Sequence, residues 1–286
     1  MRVYLSVDME GISGVTRWQD VITSGQDYQR ARSWMTADVN AAVAGARDAG
    51  ATSFVVEENH GVEMLCNLLL DEIDPAVDVV RGIPRGGTTT AAALDDSFDA
   101  VFLIGHHAKA GEHVGFGAHT ISFETYADVR LDGRTVSEGE IFAIMAAQVG
   151  VPTALIAGDD VVCAEMAKVS PGIRTAVVKR ALSTTGGWII PPVRAQEIIR
   201  RSAAKAVKAV RKGKVDLAAV PRRLAMEIEL HQPMTAVVQG RIGEHHPEFR
   251  VKDEHTIAFE HEQMAVAYRM ACIAGRLAEK GRVRSY

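Results

Sequence analysis

The chain has 286 residues, 47% of them apolar and 24% charged, which is the composition of a globular protein and excludes a disordered one. Its 32 Lys and Arg against 36 Asp and Glu give a net charge of −4, and this acidic balance argues against nucleic-acid binding. At roughly 150 residues per domain, the length predicts one large domain or two modest ones.

The three cysteines, Cys66, Cys163 and Cys272, are odd in number and far apart, so we expect no disulfide framework and a reducing compartment. The chain does not open with a secretory signal, and it contains no apolar run of the roughly 20 residues that a membrane helix needs. These features together predict a cytoplasmic protein.

Short apolar strands alternate with helical periodicity over the first 185 residues. The predicted strands are Val3–Val7, Ser53–Val56, Val77–Val80, Ala100–Ile104, Ala127–Leu131, Thr153–Ala157 and Thr175–Lys179. The predicted helices are Tyr28–Ala49, Val136–Val149 and one that follows the sixth strand to about Lys168. This alternation predicts an α/β fold, with a three-layer α/β/α catalytic domain built on a mostly parallel sheet over residues 1–185.

The pattern changes after Gly186-Gly187 and Pro191-Pro192. A basic, alanine-rich helix is predicted first, then an alternating strand and a terminal helix; these elements are Val193–Lys212, Arg222–Leu230 and Glu262–Lys280. Because this part lacks acids or histidines at strand ends, we predict a smaller α+β domain over residues 186–286. It is expected to cover the site or to make oligomer contacts.

Polar side chains that can do chemistry follow several apolar strands, and ligands of open α/β sheets bind at the carboxyl ends of the strands. Asp8 and Glu10 come after the first strand, two residues apart, so an extended backbone points both to one side. Two such carboxylates repel each other unless a cation or a proton lies between them. The alternative is a pair of acids that cap the loop.

Histidines follow the second and fourth strands. His60 comes after Asn59, and His106 and His107 are adjacent in GHHAKAG, where strand alternation turns only one of them towards the site. Glu138 stands at a helix start, where an acid is favourable for electrostatic reasons alone. Taken singly, His60 is better explained as a solvated or capping loop histidine, and Glu138 as a favourable charge at a helix start.

Together these residues form a mixed nitrogen and oxygen ligand set without a thiol, which suits Zn²⁺ or, less specifically, Mn²⁺ or Fe²⁺. Five ligands exceed one zinc site, so a two-metal site with a bridging carboxylate is predicted. His119 lies in the glycine-rich segment GFGAHT, where it is placed either for acid/base chemistry or as an ordinary loop histidine.

The chain resembles the zinc-dependent D-aminopeptidase family. The resemblance is carried, in order, by SVDMEGISG, the strand end at Asn59-His60, GHHAKAG, GFGAHT, the helix start at Glu138 and the AGDD of residues 157–160. The match covers about the first 180 residues well. The last third is similar mainly in length and layout.

The resemblance implies an α/β fold with two Zn²⁺ per chain, Mn²⁺ being the alternative, and a homo-oligomer for which a decameric ring is one arrangement. The implied metal ligands are Asp8 as the bridge, Glu10, His60, His107 rather than His106, and Glu138, with Glu140 a near-miss. His119 is implied as the catalytic histidine, acting either directly or on protons. One position departs from the family, because Glu58 stands where an Asp is usual, and this change bears on the geometry of His60 if the acid orients it.

The expected function is a metal-dependent aminopeptidase that removes an N-terminal residue from short peptides or amino-acid amides. A preference for D-residues comes from the resemblance only. Two alternatives stay open on the residues alone: a two-metal phosphoesterase, for which Lys109 is a phosphate-binding candidate, and a metal-stabilised small-molecule binding module without turnover.

Overall fold

A computed structural model describes residues 1–61, 66–82 and 90–280. Seven strands form the larger sheet, in the spatial order β3-β2-β1-β4-β7-β8-β9. Their bounds are β1 Arg2–Val7, β2 Ser53–Glu58, β3 Val77–Val80, β4 Ala100–Ile104, β7 Thr153–Asp159, β8 Arg174–Ala181 and β9 Gly187–Ile189. All neighbouring pairs are parallel except β8 and β9. The predicted α/β fold with a mostly parallel sheet is therefore confirmed.

Helices cover both faces of the larger sheet because its central strands are apolar on both sides. Along β4, Phe102 and Ile104 join the core formed with two long helices, while Val101 and Leu103 join the core on the other face. The two long helices are α2 Tyr28–Asp48 and α5 Pro192–Val210, and those opposite are α3 Glu138–Gln148 and α4 Asp160–Val169. A short helix, α1 Trp18–Val21, lies between β1 and α2.

A second sheet of five antiparallel strands has the order β11-β12-β10-β5-β6. Its strands are β5 Tyr126–Leu131, β6 Arg134–Thr135, β10 Leu224–Leu230, β11 Arg250–Val251 and β12 Thr256–His261. Two helices, α6 Ala236–His245 and α7 Met264–Lys280, share a core with this sheet. Helix α3 joins the two parts, since Ile141 and Ile144 pack in the second core and Phe142 in the first.

The two sheets interleave along the chain. Strands β5 and β6 precede residue 185 but belong to the second sheet, whereas α5 follows that residue and packs on the larger sheet. The division into domains at residue 185 stays a prediction. Under that division, β5 and β6 would lie in the sheet of the other domain, and α5 would pack on the sheet of the other domain.

The backbone segments that follow β1 and β4 lie in direct contact. The amide of Gly11 donates to the carbonyl oxygen of Gly105 at 2.7 Å, and a Cβ atom at Gly11 would lie 2.0 Å from the carbonyl oxygen of His106. Only glycine allows this approach. Among the described residues, no helix combines the length and apolar character that a membrane crossing requires.

Candidate metal centre

The candidate ligands meet at one edge of the larger sheet because β2, β1 and β4 are neighbours there. Parallel strands bring their carboxyl ends to the same edge, so residues far apart in sequence become adjacent. The structure brings together all six predicted site residues, namely Asp8, Glu10, His60, His107, His119 and Glu138.

Three side chains form what we call the first donor cluster: Asp8, Glu10 and His60. The Nδ1 atom of His60 lies 3.0 Å from Glu10 Oε2 and 3.4 Å from Asp8 Oδ1. Its other nitrogen, Nε2, is 2.8 Å from the carbonyl oxygen of Val21, which can only accept a hydrogen bond. The neutral imidazole therefore carries its proton on Nε2 and turns the lone pair of Nδ1 towards the two carboxylates.

The second donor cluster consists of Asp8, His107 and Glu138. The Nε2 atom of His107 lies 3.4 Å from Asp8 Oδ2 and 3.5 Å from Glu138 Oε1. Its Nδ1 donates to the carbonyl oxygen of Ala108 at 2.9 Å, which again leaves the lone pair of the other nitrogen pointing into the site. Asp8 presents Oδ1 to the first cluster and Oδ2 to the second, as a bridging carboxylate would.

His119 lies beside the second cluster. Its ring stacks on that of His107, with centroids 4.0 Å apart and planes within 9°, and the ring of Trp18 approaches from the side at 5.4 Å. Its Nδ1 donates to the carbonyl oxygen of Gly117 at 2.7 Å, so Nε2 is the free nitrogen, 3.7 Å from Glu138 Oε1. His107, His119 and Glu138 also lie close enough to hold an ion among themselves.

Two near neighbours of the ligands turn elsewhere. The Nε2 atom of His106 lies 3.0 Å from the hydroxyl oxygen of Ser6, and His106 belongs to neither cluster. The carboxylate of Glu140 pairs with the guanidinium of Arg134 through two hydrogen bonds. The backbone thus separates the adjacent histidines, and it separates the two acids of the α3 start.

Burial and opposite charges shift the pKa values within the site. Burial alone would raise the pKa of Asp8, but the neighbouring imidazoles of His107 and His60, each 3.4 Å from its carboxylate, hold it well below the usual value. Burial opposes the charged form of His60, yet the nearby Glu10 and Asp8 carboxylates raise the pKa of its imidazole well above normal. For His119, burial and then the neighbouring His107 lower the pKa of the imidazole.

The donor atoms fit divalent metal ions of the zinc type. Two ligands bound tetrahedrally at zinc distances are roughly 3.3 Å apart, and the separations between histidine nitrogens and carboxylate oxygens within the clusters run from 3.0 to 3.5 Å. These contacts are mostly too long for good hydrogen bonds, and the buried Nε2 of His107 has no hydrogen-bond partner among the residues that the structure describes. Three carboxylates and two imidazoles with free lone pairs match the preferences of Zn²⁺.

Glu58 does not orient the imidazole of His60, contrary to the role considered for an acid at this position. Its Oε2 accepts the backbone amides of Asn67 and Leu68, and its Oε1 accepts two hydrogen bonds from Arg81. The side chain of Asn67 in turn donates to the carbonyl oxygen of His60 at 2.9 Å. Glu58 therefore supports His60 only indirectly, through the backbone.

Several groups that shape the site escape the sequence analysis. The carbonyl oxygens of Val21, Ala108 and Gly117 select the histidine tautomers, and the buried side chains of Lys179 and Asp38 hold the loop after β1. A carbonyl has no side-chain signature, so the first group leaves no signal in the sequence. Lys179, by contrast, leaves a signal, because a lysine in the otherwise apolar strand Thr175–Lys179 is unusual unless it has buried partners.

Comparisons with known proteins give a consistent picture. A family model described as D-aminopeptidase matches residues 1–273. A D-aminopeptidase of Bacillus subtilis (strain 168) is 30% identical over 229 residues, which is 80% of this chain and 81% of the relative. The solved structure of the Zn-dependent D-aminopeptidase DppA from Bacillus subtilis, described as a self-compartmentalizing protease, superposes with a TM-score of 0.88 at 27% identity, covering 99% of this chain and 100% of that one.

Proposed function

The chain belongs to the D-aminopeptidase family and is a metal-dependent aminopeptidase, and we propose that its reaction takes place between the two donor clusters and His119. The observation that carries this proposal is the pair of clusters that share Asp8, with one carboxylate oxygen directed to each. The phosphoesterase and the binding module considered from the residues alone are not favoured by the family.

We propose that the first donor cluster holds one Zn²⁺ and the second holds another, with Asp8 common to both. When bound, zinc supplies Lewis acidity that polarises a peptide carbonyl and lowers the pKa of water. Four of the ligands follow the ends of β1, β2 and β4 and the fifth begins α3, so neighbouring elements of the larger sheet bring them together.

The role of His119 follows from its tautomer. Because Gly117 holds the proton on Nδ1, the lone pair of Nε2 is free to accept a proton within the site. The rings of His107 and Trp18 on either side restrict the rotation of the imidazole. We therefore assign His119 to proton transfer, and we assign the metal ligation to the five other residues.

The substrate we propose is a short peptide or amino-acid amide with a free amino terminus and a D-residue at that end. A protonated amine is attracted to the carboxylates of the site, or a neutral one to a metal. The family and the description of the solved relative support D-stereochemistry and assembly into a homo-oligomer. We extend both to this chain, together with a cytoplasmic location.

The experiment that tests this function combines metal analysis with substrate comparison. The purified protein should contain close to two zinc ions per chain; chelation should abolish hydrolysis, and Zn²⁺ or Mn²⁺ should restore it. D-alanine amide should be cleaved faster than L-alanine amide, N-acetylation should block cleavage, and a phosphoester should not react. Protein without metal, and unable to take any up, would contradict the proposal, whereas a preference for L-amides would contradict only the stereochemistry.

A further inference from the structure

Two buried charged side chains outside the donor clusters converge on the loop that follows β1. Lys179 reaches it from β8 and is fully buried, and Asp38 reaches it from α2 and is 1% exposed. The loop, residues 8–15, carries Glu10 and contains no regular secondary structure of its own. Its backbone groups need partners from elsewhere, because buried amides and carbonyls are costly when left unpaired.

Lys179 satisfies three carbonyls of this loop at once. Its Nζ donates to the backbone oxygens of Glu10 at 2.6 Å, Ile12 at 3.0 Å and Val15 at 2.7 Å. An ammonium has three N–H groups and no acceptor, so every donor of this side chain is spent on the loop. The lysine therefore fixes the loop at three points, the first of which is the backbone of a proposed ligand.

Asp38 holds the same loop as a hydrogen-bond acceptor, whereas Lys179 holds it as a donor. Its Oδ2 accepts the backbone amide of Ser13 at 2.9 Å, and its Oδ1 accepts the hydroxyl of Ser13 at 2.7 Å. The ammonium of Lys179 thus binds three carbonyls of the loop, and the carboxylate of Asp38 binds one of its amides. Neither residue touches an atom of the second donor cluster in the hydrogen bonds of the described residues.

The lysine also contacts the segment that carries His119. Its ammonium lies 4.8 Å from the centroid of the Phe116 ring, within range of a cation–π interaction. The amide of Phe116 donates to Asp159 Oδ2 at 2.7 Å. A Cβ atom at Gly117, the next residue, would lie 3.0 Å from Glu10 Cγ, so this segment packs directly against the ligand. Movement of the loop after β1 would therefore release Glu10 from its present contacts.

Stability alone does not explain these charges. Transferring an ammonium and a carboxylate into the interior is expensive, and well-packed apolar residues often serve the folded state as well or better. The two charged side chains instead fix the path of a loop that lacks the regular backbone hydrogen bonds of a strand or helix. We propose that Lys179 and Asp38 are positioning residues that hold Glu10 in metal-binding geometry, an inference that rests on the proposed function.

The placement predicts a selective effect. Glu10 belongs to the first donor cluster only. The shared residue Asp8 begins the loop and is held separately, since its amide donates to the carbonyl oxygen of Ile104 at 2.9 Å, while His107 follows β4 and Glu138 begins α3. In Lys179→Met, which preserves length and removes the charge, the affinity for one of two metal ions should weaken by about 10- to 100-fold, the range seen when groups supporting metal ligands are lost. The affinity for the other ion should change much less.

The measurement is a titration of the metal-free protein with Co²⁺, followed by its visible absorption, and with Zn²⁺ in competition with a chelator. The absorption band of the affected ion should shift, because it reports the arrangement of the ligands. Val178→Ala is the matched control, since Val178 is the adjacent residue of β8 but packs in the hydrophobic core. It should lower the unfolding temperature and leave both metal affinities and both bands unchanged.

Asp38→Asn is the second variant and preserves size. It should weaken the affinity for the same ion, but by less than Lys179→Met does. The effects of the two changes on this affinity should be non-additive if both act through the loop. It also decides the matter if Lys179→Met does not fold: unchanged metal affinity in Asp38→Asn would then overturn the proposal.

Other outcomes distinguish the positioning role of Lys179 and Asp38 from the proposed function. Equal weakening of both ions, or the same weakening in Val178→Ala, would mean general destabilisation and would refute a positioning role. Unchanged affinities in a folded Lys179→Met would refute it as well. Failure of the wild-type protein to bind any metal would contradict the proposed function itself.

Discussion

Replacing His119 with alanine should separate catalysis from metal binding. Without His119, the first donor cluster still offers Asp8, Glu10 and His60, and the second still offers Asp8, His107 and Glu138. Three protein ligands are the number that catalytic zinc sites commonly use. The variant should therefore contain as much zinc as the wild-type protein.

The expected loss lies in the chemical step. Proton transfer by a positioned side chain contributes about 10²- to 10⁴-fold, so kcat should fall by that factor, equivalent to about 3–5 kcal/mol of transition-state stabilisation. The upper part of this range is favoured because His119 is well oriented: its Nδ1 lies 2.7 Å from the carbonyl oxygen of Gly117, and its ring stacks on that of His107 with centroids 4.0 Å apart. KM should move little, since the interaction matters mainly in the transition state.

The assay measures zinc content and kcat on D-alanine amide in the same sample. His113→Ala is the matched control, because His113 lies in the same connection between β4 and β5 but is exposed. It should leave both quantities unchanged. Loss of zinc in His119→Ala would make His119 a ligand, as its closeness to His107 and Glu138 permits. Unchanged zinc together with unchanged kcat would leave His119 without a chemical role.

Three further predictions concern the ligands and the fold. Asp8→Ala should lower zinc content more than Glu10→Ala, because Asp8 faces both donor clusters and Glu10 only one; equal retention by elemental analysis would show that Asp8 is not the bridge. His107→Ala should lose zinc while His106→Ala keeps it, since only His107 turns a free nitrogen towards Asp8 and Glu138; the reverse result would contradict the orientation of GHHA. Burial raises the pKa of Glu57 from 4.5 to about 7, so its contribution to stability is fully present below about pH 4.5 and is lost as the pH rises through about 7, a change of about 3 kcal/mol. In Glu57→Gln that contribution is absent, so urea unfolding of the metal-free proteins should show wild type losing stability relative to the variant between about pH 5 and pH 7.5, and parallel curves would refute the shift.

The central strands could be predicted because their burial on both faces leaves continuous apolar runs. The predicted Val3–Val7 and Ala100–Ile104 correspond closely to β1 and β4. Several of the elements that escaped prediction lack such runs. Strands β9 and β11 are only three and two residues long, and α6 contains Gly240 and Gly243, which weaken a helical pattern.

The sheet to which a strand belongs is harder to predict than the strand. The segment Ala127–Leu131 is identified as a strand, yet nothing in its own sequence excludes it from the parallel sheet. Its partner is β10, where Val129 pairs with Ile228 about a hundred residues later. Such pairing is decided by the two cores that form, and local periodicity carries no information on it.

The candidate ligands are recognisable because strand ends place side chains of the right chemistry in order along the sequence. Their tautomers are not recognisable, because the carbonyls of Val21, Ala108 and Gly117 set them. Any residue supplies a carbonyl, so only the path of the backbone determines which nitrogen faces the metal. The sequence therefore predicts which residues take part, and the fold decides through which atom.

Glu58 shows how a single departure from a family pattern is read differently once the fold is known. From the sequence, an acid two residues before His60 is a candidate partner for its imidazole, and the longer side chain of Glu58 would then bear on the geometry of His60. In the structure Val21 already occupies the outer nitrogen of that ring, and the carboxylate of Glu58 lies against Arg81 and the amide of Asn67. The carboxylate of Glu58 therefore helps to hold the segment around Asn67, and the carbonyl of Val21 decides independently which nitrogen of His60 faces the first donor cluster.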